Sequence, residues 1–442
     1  MTATLQPQTT ATAGGTSVGP KELRRIVLGG SAGMFVEFFD YGIYGFLAST
    51  IALVFFPPNA PTAALIMTWG IFGLTFLIRP LGGLLIGAVA DRIGRRAALV
   101  LSLTLMSGST AAIGILPGYA TIGILAPILL LAMRLVQGFS AGGEVASAYS
   151  FVAENAPAAR RGLLTSLPQV GSYVAMLLGT TLGVALATFL PEGALEGWAW
   201  RIPFLVAAPL GFIGYWIRRS LQDTIAFREA QEHDAVVHNP ISETVRDGKT
   251  FRRVFFAIAL ALLNSSGYYI LFSYVPSYLS KELSFSTGAG LGVTALSVLV
   301  MLAGIPLLAA LSDRFGRRTV LIGSASASAV LAVPGYALMA QGSFGLAVLG
   351  AALMAAAFAG HAGIIHVTLV ELFPTRVRGT AYSLGYNVST AIFGGGAPLV
   401  MTAIIAATGN TSVPAWYVVV TAVGTGVAAL FLRETAREDI TA

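Results

Sequence analysis

Asp91-Arg92-Ile93-Gly94-Arg95-Arg96 recurs 222 residues later as Asp313-Arg314-Phe315-Gly316-Arg317-Arg318. A second echo trails each copy. Glu154-x-x-Pro157-x-x-x-Arg161-Gly162 returns as Glu371-x-x-Pro374-x-x-x-Arg378-Gly379, offset by 217 residues. Two echoes at nearly equal offset mean that the chain is a duplication. What surrounds them decides the environment. Of 442 residues, 55% are hydrophobic and 10% charged, whereas soluble domains carry about 25% charged residues. So much apolar surface needs a bilayer as its solvent. Runs of about 20 apolar residues, the length that crosses the hydrocarbon core, are found at 24–55, 63–90, 96–116, 122–152, 162–188, 201–219, 253–280, 287–311, 318–338, 343–371, 379–407 and 413–433.

Each copy of the repeat holds an even number of spans, so both copies have the same topology and are related by an axis along the membrane normal. The expected fold is all-α, with 12 transmembrane helices in two pseudo-symmetric six-helix halves at 22–219 and 253–434. Residues 1–21 are expected to be a disordered tail, 220–252 a linker and 435–442 a short tail. Of 26 Lys and Arg, Arg79 and Arg134 lie inside spans and Arg201 and Lys281 on one side; the other 22 fall in the tails and alternate loops. By the positive-inside rule those loops and both termini are cytoplasmic. The net charge of +6 thus reflects topology and an anionic leaflet, and nucleic acid is not an expected partner; membrane lipid is. The chain has no cysteine, which excludes disulfides and thiol chemistry. No metal-ligand cluster, phosphate-binding loop or nucleophile elbow is present. An enzyme is not expected, and neither is a metal or cofactor.

The DRxGRR loops look like the major facilitator signature, and Arg134-x-x-Gln137-Gly138 resembles the fourth-span signature of its proton-driven members. Val36-Glu37-Phe38-Phe39-Asp40-Tyr41, Ile78-Arg79-Pro80-Leu81-Gly82-Gly83, Gln137-Gly138-Phe139-Ser140-Ala141-Gly142-Gly143-Glu144 and Trp198-Ala199-Trp200-Arg201-Ile202-Pro203-Phe204 are similar to strings of the metabolite:proton symporters. Within that family, Tyr268-Tyr269 and Tyr274-Val275-Pro276-Ser277-Tyr278 look most like the proline/glycine betaine branch. Departures from the family pattern are Phe38, Val145 and Leu167. The resemblance implies an inner-membrane monomer that imports a small carboxylate-bearing solute with a proton, by alternating access. Proline or glycine betaine is the first expectation, and 2-oxoglutarate, citrate or shikimate the alternative. Proton-driven drug efflux is a further reading, which Arg79 speaks against. The chain's end soon after Arg433 predicts no osmotic gating by a long helical tail.

Charge at bilayer depth costs at least about 2.5–3.5 kcal/mol on insertion scales, so each such residue needs a reason. Glu37 and Asp40 share a face of the first span, extended by Tyr41 and Tyr44. Two carboxylates so close do not both ionise readily; they either carry the coupling proton or form a structural pair with neighbouring helices. Arg79 either grips the solute carboxylate, which a guanidinium does bidentately, or only pairs with Glu37 or Asp40. The resemblance implicates Arg134 in proton transfer, beside Gln137. Glu144, about 80° around the helix from Arg134, is a further proton-coupling candidate. Tyr41, Tyr44 and Gln137 in the first half and Asn264, Tyr268, Tyr269 and Asn387 in the second are candidate solute contacts, since Tyr rings hold a quaternary ammonium by cation–π contact. His361 and His366 are either titrating groups or packed, hydrogen-bonded ones. The resemblance also predicts a cytoplasmic gate. Asp91 would meet the opposite half beside a cluster of Arg95, Glu154 and Arg161, with Asp313, Arg317, Glu371 and Arg378 as the second copy.

Overall fold

A computed structural model of the protein describes residues 19–59, 61–191, 193–220, 222–223, 227, 231, 239–438 and 440, and these form helices and connections without a strand. Residues 1–18, most of the expected tail, lie outside the described residues. The first half comprises α1 (Pro20–Phe46), α2 (Ala48–Phe55), α3 (Pro61–Arg92), α4 (Arg95–Ile115), α5 (Tyr119–Ile122), α6 (Leu125–Asn155), α7 (Arg161–Phe189) and α8 (Arg201–Arg219). A short helix, α9 (Pro240–Arg246), lies in the linker. The second half comprises α10 (Gly248–Tyr268), α11 (Val275–Lys281), α12 (Thr287–Phe315), α13 (Arg317–Met339), α14 (Phe344–Leu372), α15 (Arg378–Thr390), α16 (Ala397–Thr408) and α17 (Val413–Leu430). Among the described residues eleven segments are long and apolar enough to cross a membrane, and the 29-residue α7 supplies the remaining span.

The expected first span is two helices, broken at Leu47. The seventh and eleventh spans each pass through a wide π turn, Tyr269–Tyr274 and Ala391–Gly395. By contrast α3 runs unbroken through Pro80; proline is tolerated in membrane helices because neighbours satisfy the freed carbonyl. The linker is shorter than its polar composition suggests, since the seventh span begins at Gly248 behind a side-chain cap from Asp247 to the Lys249 and Thr250 N–H groups.

Large apolar side chains such as Leu77, Phe212, Trp216 and Leu399 stand on the outside, while the arginines of the spans are buried. That inverted arrangement suits a lipid solvent, which cannot satisfy polar groups. Within the first half α1 packs on α7, α3 on α6 and α4 on α8; the two halves meet along α3 with α15 and along α7 with α12. The glycine of each DRxGRR loop explains itself here. Gly94 and Gly316 sit at φ 124° and 97°, where side chains are strained. A Cβ on either would also strike an acid from the end of its own half, Asp223 or Glu434. Asp223 accepts from the Arg95 N–H at 2.9 Å and Glu434 from the Arg317 N–H at 2.8 Å. Each acid thereby supplies negative charge to the N-terminus of α4 or α13, where the helix dipole favours it. Arg96 then donates to the Arg219 carbonyl, as Arg318 does to that of Leu430. This is a third echo, and sequence spacing does not display it.

Candidate functional site

Four groups of polar side chains are buried among the helices, and the first of them lies at the junction of the halves. Glu37 on α1 accepts from Arg79 Nη2 on α3 at 2.6 Å and from the Tyr41 hydroxyl at 3.0 Å. The guanidinium lies over the Phe76 ring, 4.6 Å from its centre, and 5.3 Å from that of Tyr41. Both charged residues are buried, yet Glu37 Oε2 and Arg79 Nε have no hydrogen-bond partner. Across the junction the second half presents rings: Tyr269 stands edge-on to Phe76 at 5.1 Å, Tyr268 edge-on to Phe38 at 5.1 Å, and the two tyrosines edge-on to each other at 5.0 Å. Asn264 Nδ2 donates to the Tyr386 hydroxyl at 3.2 Å, and Asn387 Nδ2 to the Gly142 carbonyl of the first half at 2.6 Å. The Oδ1 atoms of both asparagines are buried without partners. Buried polar atoms are ordinarily paired, so these four atoms are unused hydrogen-bonding capacity at one junction.

The second group lies within the first half. Asp40 accepts from Arg134 Nη1 at 2.6 Å and from Gln137 Nε2 at 3.2 Å, and Gln137 reaches Thr110 on α4 at 2.6 Å. The Tyr44 ring lies 4.0 Å under Arg134, its hydroxyl donating to the Thr68 carbonyl. Glu37 and Asp40 are therefore not a carboxylate pair, as their spacing suggests. Three residues turn a helix by about 300°, and that 60° offset sends one side chain to α3 and the junction, the other to α6. Tyr44 and Gln137, expected among the solute contacts, stand with Asp40 instead.

Glu144 forms a third group with a residue that the sequence reading placed in a basic loop. Arg218, fully buried at the end of α8, donates to Glu144 at 2.5 Å and to the carbonyls of Gly29 and Leu99 at 2.7 and 2.5 Å. Nothing in the local pattern Ile217-Arg218-Arg219-Ser220 separates the buried arginine from the exposed Arg219 beside it. The staple ties together α1, α4, α6 and α8. Of the two histidines, His361 has no partner for either ring nitrogen, while His366 Nδ1 lies 2.6 Å from the Tyr382 hydroxyl.

The fourth group holds the residues expected to form a gate, and they join the two halves at the Arg-rich end. Asp91 accepts from the Gly379 and Thr380 N–H groups, both at 2.8 Å; Asp313 accepts from those of Gly162 and Leu163 at 2.8 and 2.9 Å. Each aspartate thus caps a helix of the other half. The arginines cross over. Arg95 and Arg378 share Glu154, at 3.3 and 2.6 Å; Arg317 and Arg161 share Glu371, both at 3.3 Å. The expected grouping of Arg161 with Glu154, and of Arg378 with Glu371, is corrected by these exchanged partners. A repeat fixes which residues correspond, not which copy each one reaches. The C-terminal segment joins the gate as well: Arg378 and Thr375 donate to the Ile440 carbonyl, and Arg161 to that of Glu438.

Comparisons with known proteins agree with this geometry. Residues 27–441 match the family described as sugar (and other) transporter. The proline/betaine transporter of Escherichia coli K12 is 36% identical over 435 residues, covering 96% of this chain and 86% of that protein. The citrate-proton symporter of Klebsiella pneumoniae is 34% identical over 408 residues, covering 92% and 90%. Among solved structures, the major facilitator proton:xylose symporter bound to 6-bromo-6-deoxy-D-glucose superposes with a TM-score of 0.82 at 19% identity, covering 96% of this chain and 98% of that one.

Proposed function

This chain belongs to the sugar (and other) transporter family of the major facilitator superfamily, among the metabolite:proton symporters, and from that premise we propose that it imports a small zwitterionic carboxylate, of the proline or glycine betaine kind, together with a proton. The orphaned Glu37–Arg79 pair at the junction carries the reading. With Glu37 ionised, Arg79 is occupied and its Nε and the second carboxylate oxygen stay unfilled. Protonation of Glu37 removes the charge that holds Arg79. The guanidinium then turns to a solute carboxylate, which it binds through two parallel N–H bonds. Tyr268 and Tyr269 offer ring faces to the ammonium end, and Asn264 Oδ1 and Asn387 Oδ1 accept from solute donors. Solute and proton arrive together because one empties the partner that the other needs. The Asp40–Arg134–Gln137 network holds α1, α4 and α6 in register and is the second proton-bearing group; Glu144, gripped by Arg218, is a separate staple across α1, α4, α6 and α8.

A citrate-like solute, as carried by the Klebsiella relative, brings up to three negative charges. Among the described residues one guanidinium, Arg79, faces the rings of the second half, while Arg134 is turned into the first, which favours a single carboxylate. The charge bias supports a cytoplasmic side for the gate and both termini; on that reading the gate described above is shut towards the cell interior of an inner-membrane protein. One chain contains the whole path and acts as a monomer. The test is uptake of labelled glycine betaine, proline and citrate into proteoliposomes with and without an inward proton gradient. Gradient-driven accumulation of betaine or proline, lost in Arg79→Ala, supports the reading; citrate accumulation alone, or Arg79→Ala with normal uptake, removes it.

A further inference from the structure

Tyr149 and His366 occupy corresponding positions in the duplication, each five residues ahead of its gate glutamate, Glu154 or Glu371. In the structure they touch. Their rings stack face to face, with centres 3.8 Å apart and planes 3° from parallel. A residue and its image under a two-fold rotation can meet only on the rotation axis. The axis relating the halves runs along the membrane normal, and the solute path between the halves follows it. We infer that the Tyr149–His366 stack is an inner gate on that axis, a plug between the Arg79 site and the charged gate, which must part before solute reaches the cytoplasm.

The surroundings fit a plug and not a binding pocket. Both residues are buried, Tyr149 completely. The Tyr149 hydroxyl donates to Gln169 on α7, and His366 Nδ1 meets Tyr382 on α15, so each half braces its own ring from a neighbouring helix. Tyr386, four residues further along α15 towards the site, lies 5.2 Å from the imidazole and accepts from Asn264. A continuous chain of contacts thus links the plug to the proposed solute contacts. The charged gate below holds the halves through eight residues with exposed loops beside them; the stack holds them through one pair of flat surfaces. Such a pair contributes little when sheared, and its loss exposes whatever lies above it.

The inference depends on the chain being a transporter of alternating access, not on which solute it carries, so its first test uses none. The natural chain has no cysteine, and Asn264→Cys places one thiol above the plug. Labelling of that thiol from the cytoplasmic face should be about three- to tenfold faster in Tyr149→Ala/His366→Ala, the weight of one aromatic pair, and within about twofold of the parent in His366→Phe, which keeps a ring to stack. Independently, a Tyr149→Cys/His366→Cys chain joined by a short bifunctional thiol reagent should keep the Asn264-side path sealed and lose net solute translocation while still binding solute from outside. Unchanged labelling in the double alanine variant overturns the inference. So does equally fast labelling in His366→Phe, or translocation that survives the cross-link.

Discussion

The two halves of this molecule agree at one end and diverge at its middle. At the Arg-rich end three features are doubled among the described residues: the capping aspartates Asp91 and Asp313, the shared glutamates Glu154 and Glu371, and the terminal acids Asp223 and Glu434. At bilayer depth the first half carries three buried ion pairs, Glu37–Arg79, Asp40–Arg134 and Glu144–Arg218. The second half answers with tyrosines, asparagines, two histidines and two π turns. The lesson is a division of labour. Both halves had to keep the gate, since each closes on the other. On the proposed reading only one needed to keep charge, because a proton and a carboxylate require a single acid–base centre; the other is then the aromatic and dipolar wall for the solute's cationic end, with π turns where its backbone can bend.

That contrast can be attacked where the effect is largest. Arg79→Ala should abolish both accumulation and exchange of solute, a loss of at least about a hundredfold, because the carboxylate loses its partner in a dry site. It should also destabilise the protein by about 3–5 kcal/mol, since Glu37 is left buried and unpaired; a melting curve in detergent reads this. Glu37→Gln/Arg79→Gln should restore most of that stability and none of the transport. Next in size is the pair inside the first half. Asp40→Asn and Arg134→Gln should each lower stability, and a double-mutant cycle should return a coupling of about 0.5–3 kcal/mol; zero coupling would mean that the two charges are solvated separately.

The gate offers a sharper test of symmetry. Asp91→Asn and Asp313→Asn each weaken a cap across the halves worth about 1 kcal/mol, so both should raise the inward-open fraction about fivefold, and by similar amounts. Spin labels on the exposed Arg92→Cys and Arg314→Cys positions measure that fraction as a longer inter-half distance. Markedly unequal responses would break the equivalence of the two copies. The smallest effect lies in the aromatic wall. Tyr269→Leu should weaken betaine binding by about 0.5–2 kcal/mol through the lost cation–π contact, while Tyr269→Phe should leave it nearly unchanged; binding by tryptophan fluorescence or calorimetry separates them.

Much of this was legible in residue order. Membrane spans are announced by their length and apolarity, and the twelve runs found in the sequence correspond to helices within a few residues. The residues expected at the gate could be named because the family resemblance singles them out and the duplication repeats them. What failed is instructive. Spacing along α1 put Glu37 and Asp40 together, and only the neighbours α3 and α6 decide that they part. Arg161 and Arg378 exchange partners between copies, which no internal repeat can reveal. Arg218 looks like one more basic loop residue until the depth of α8 is known. Asp223 and Glu434 sit at unequal distances from their targets, so their common role as caps leaves no trace in spacing. In each case the missing information was which helix lies next to which.

The most direct trial of the account concerns Glu37. In proteoliposomes, Glu37→Gln should exchange labelled betaine across the membrane at equilibrium, since Arg79 is permanently free for the carboxylate, yet should fail to accumulate it under an inward proton gradient. Accumulation by Glu37→Gln to the level of the unaltered protein would contradict the claim that this carboxyl carries the coupling proton.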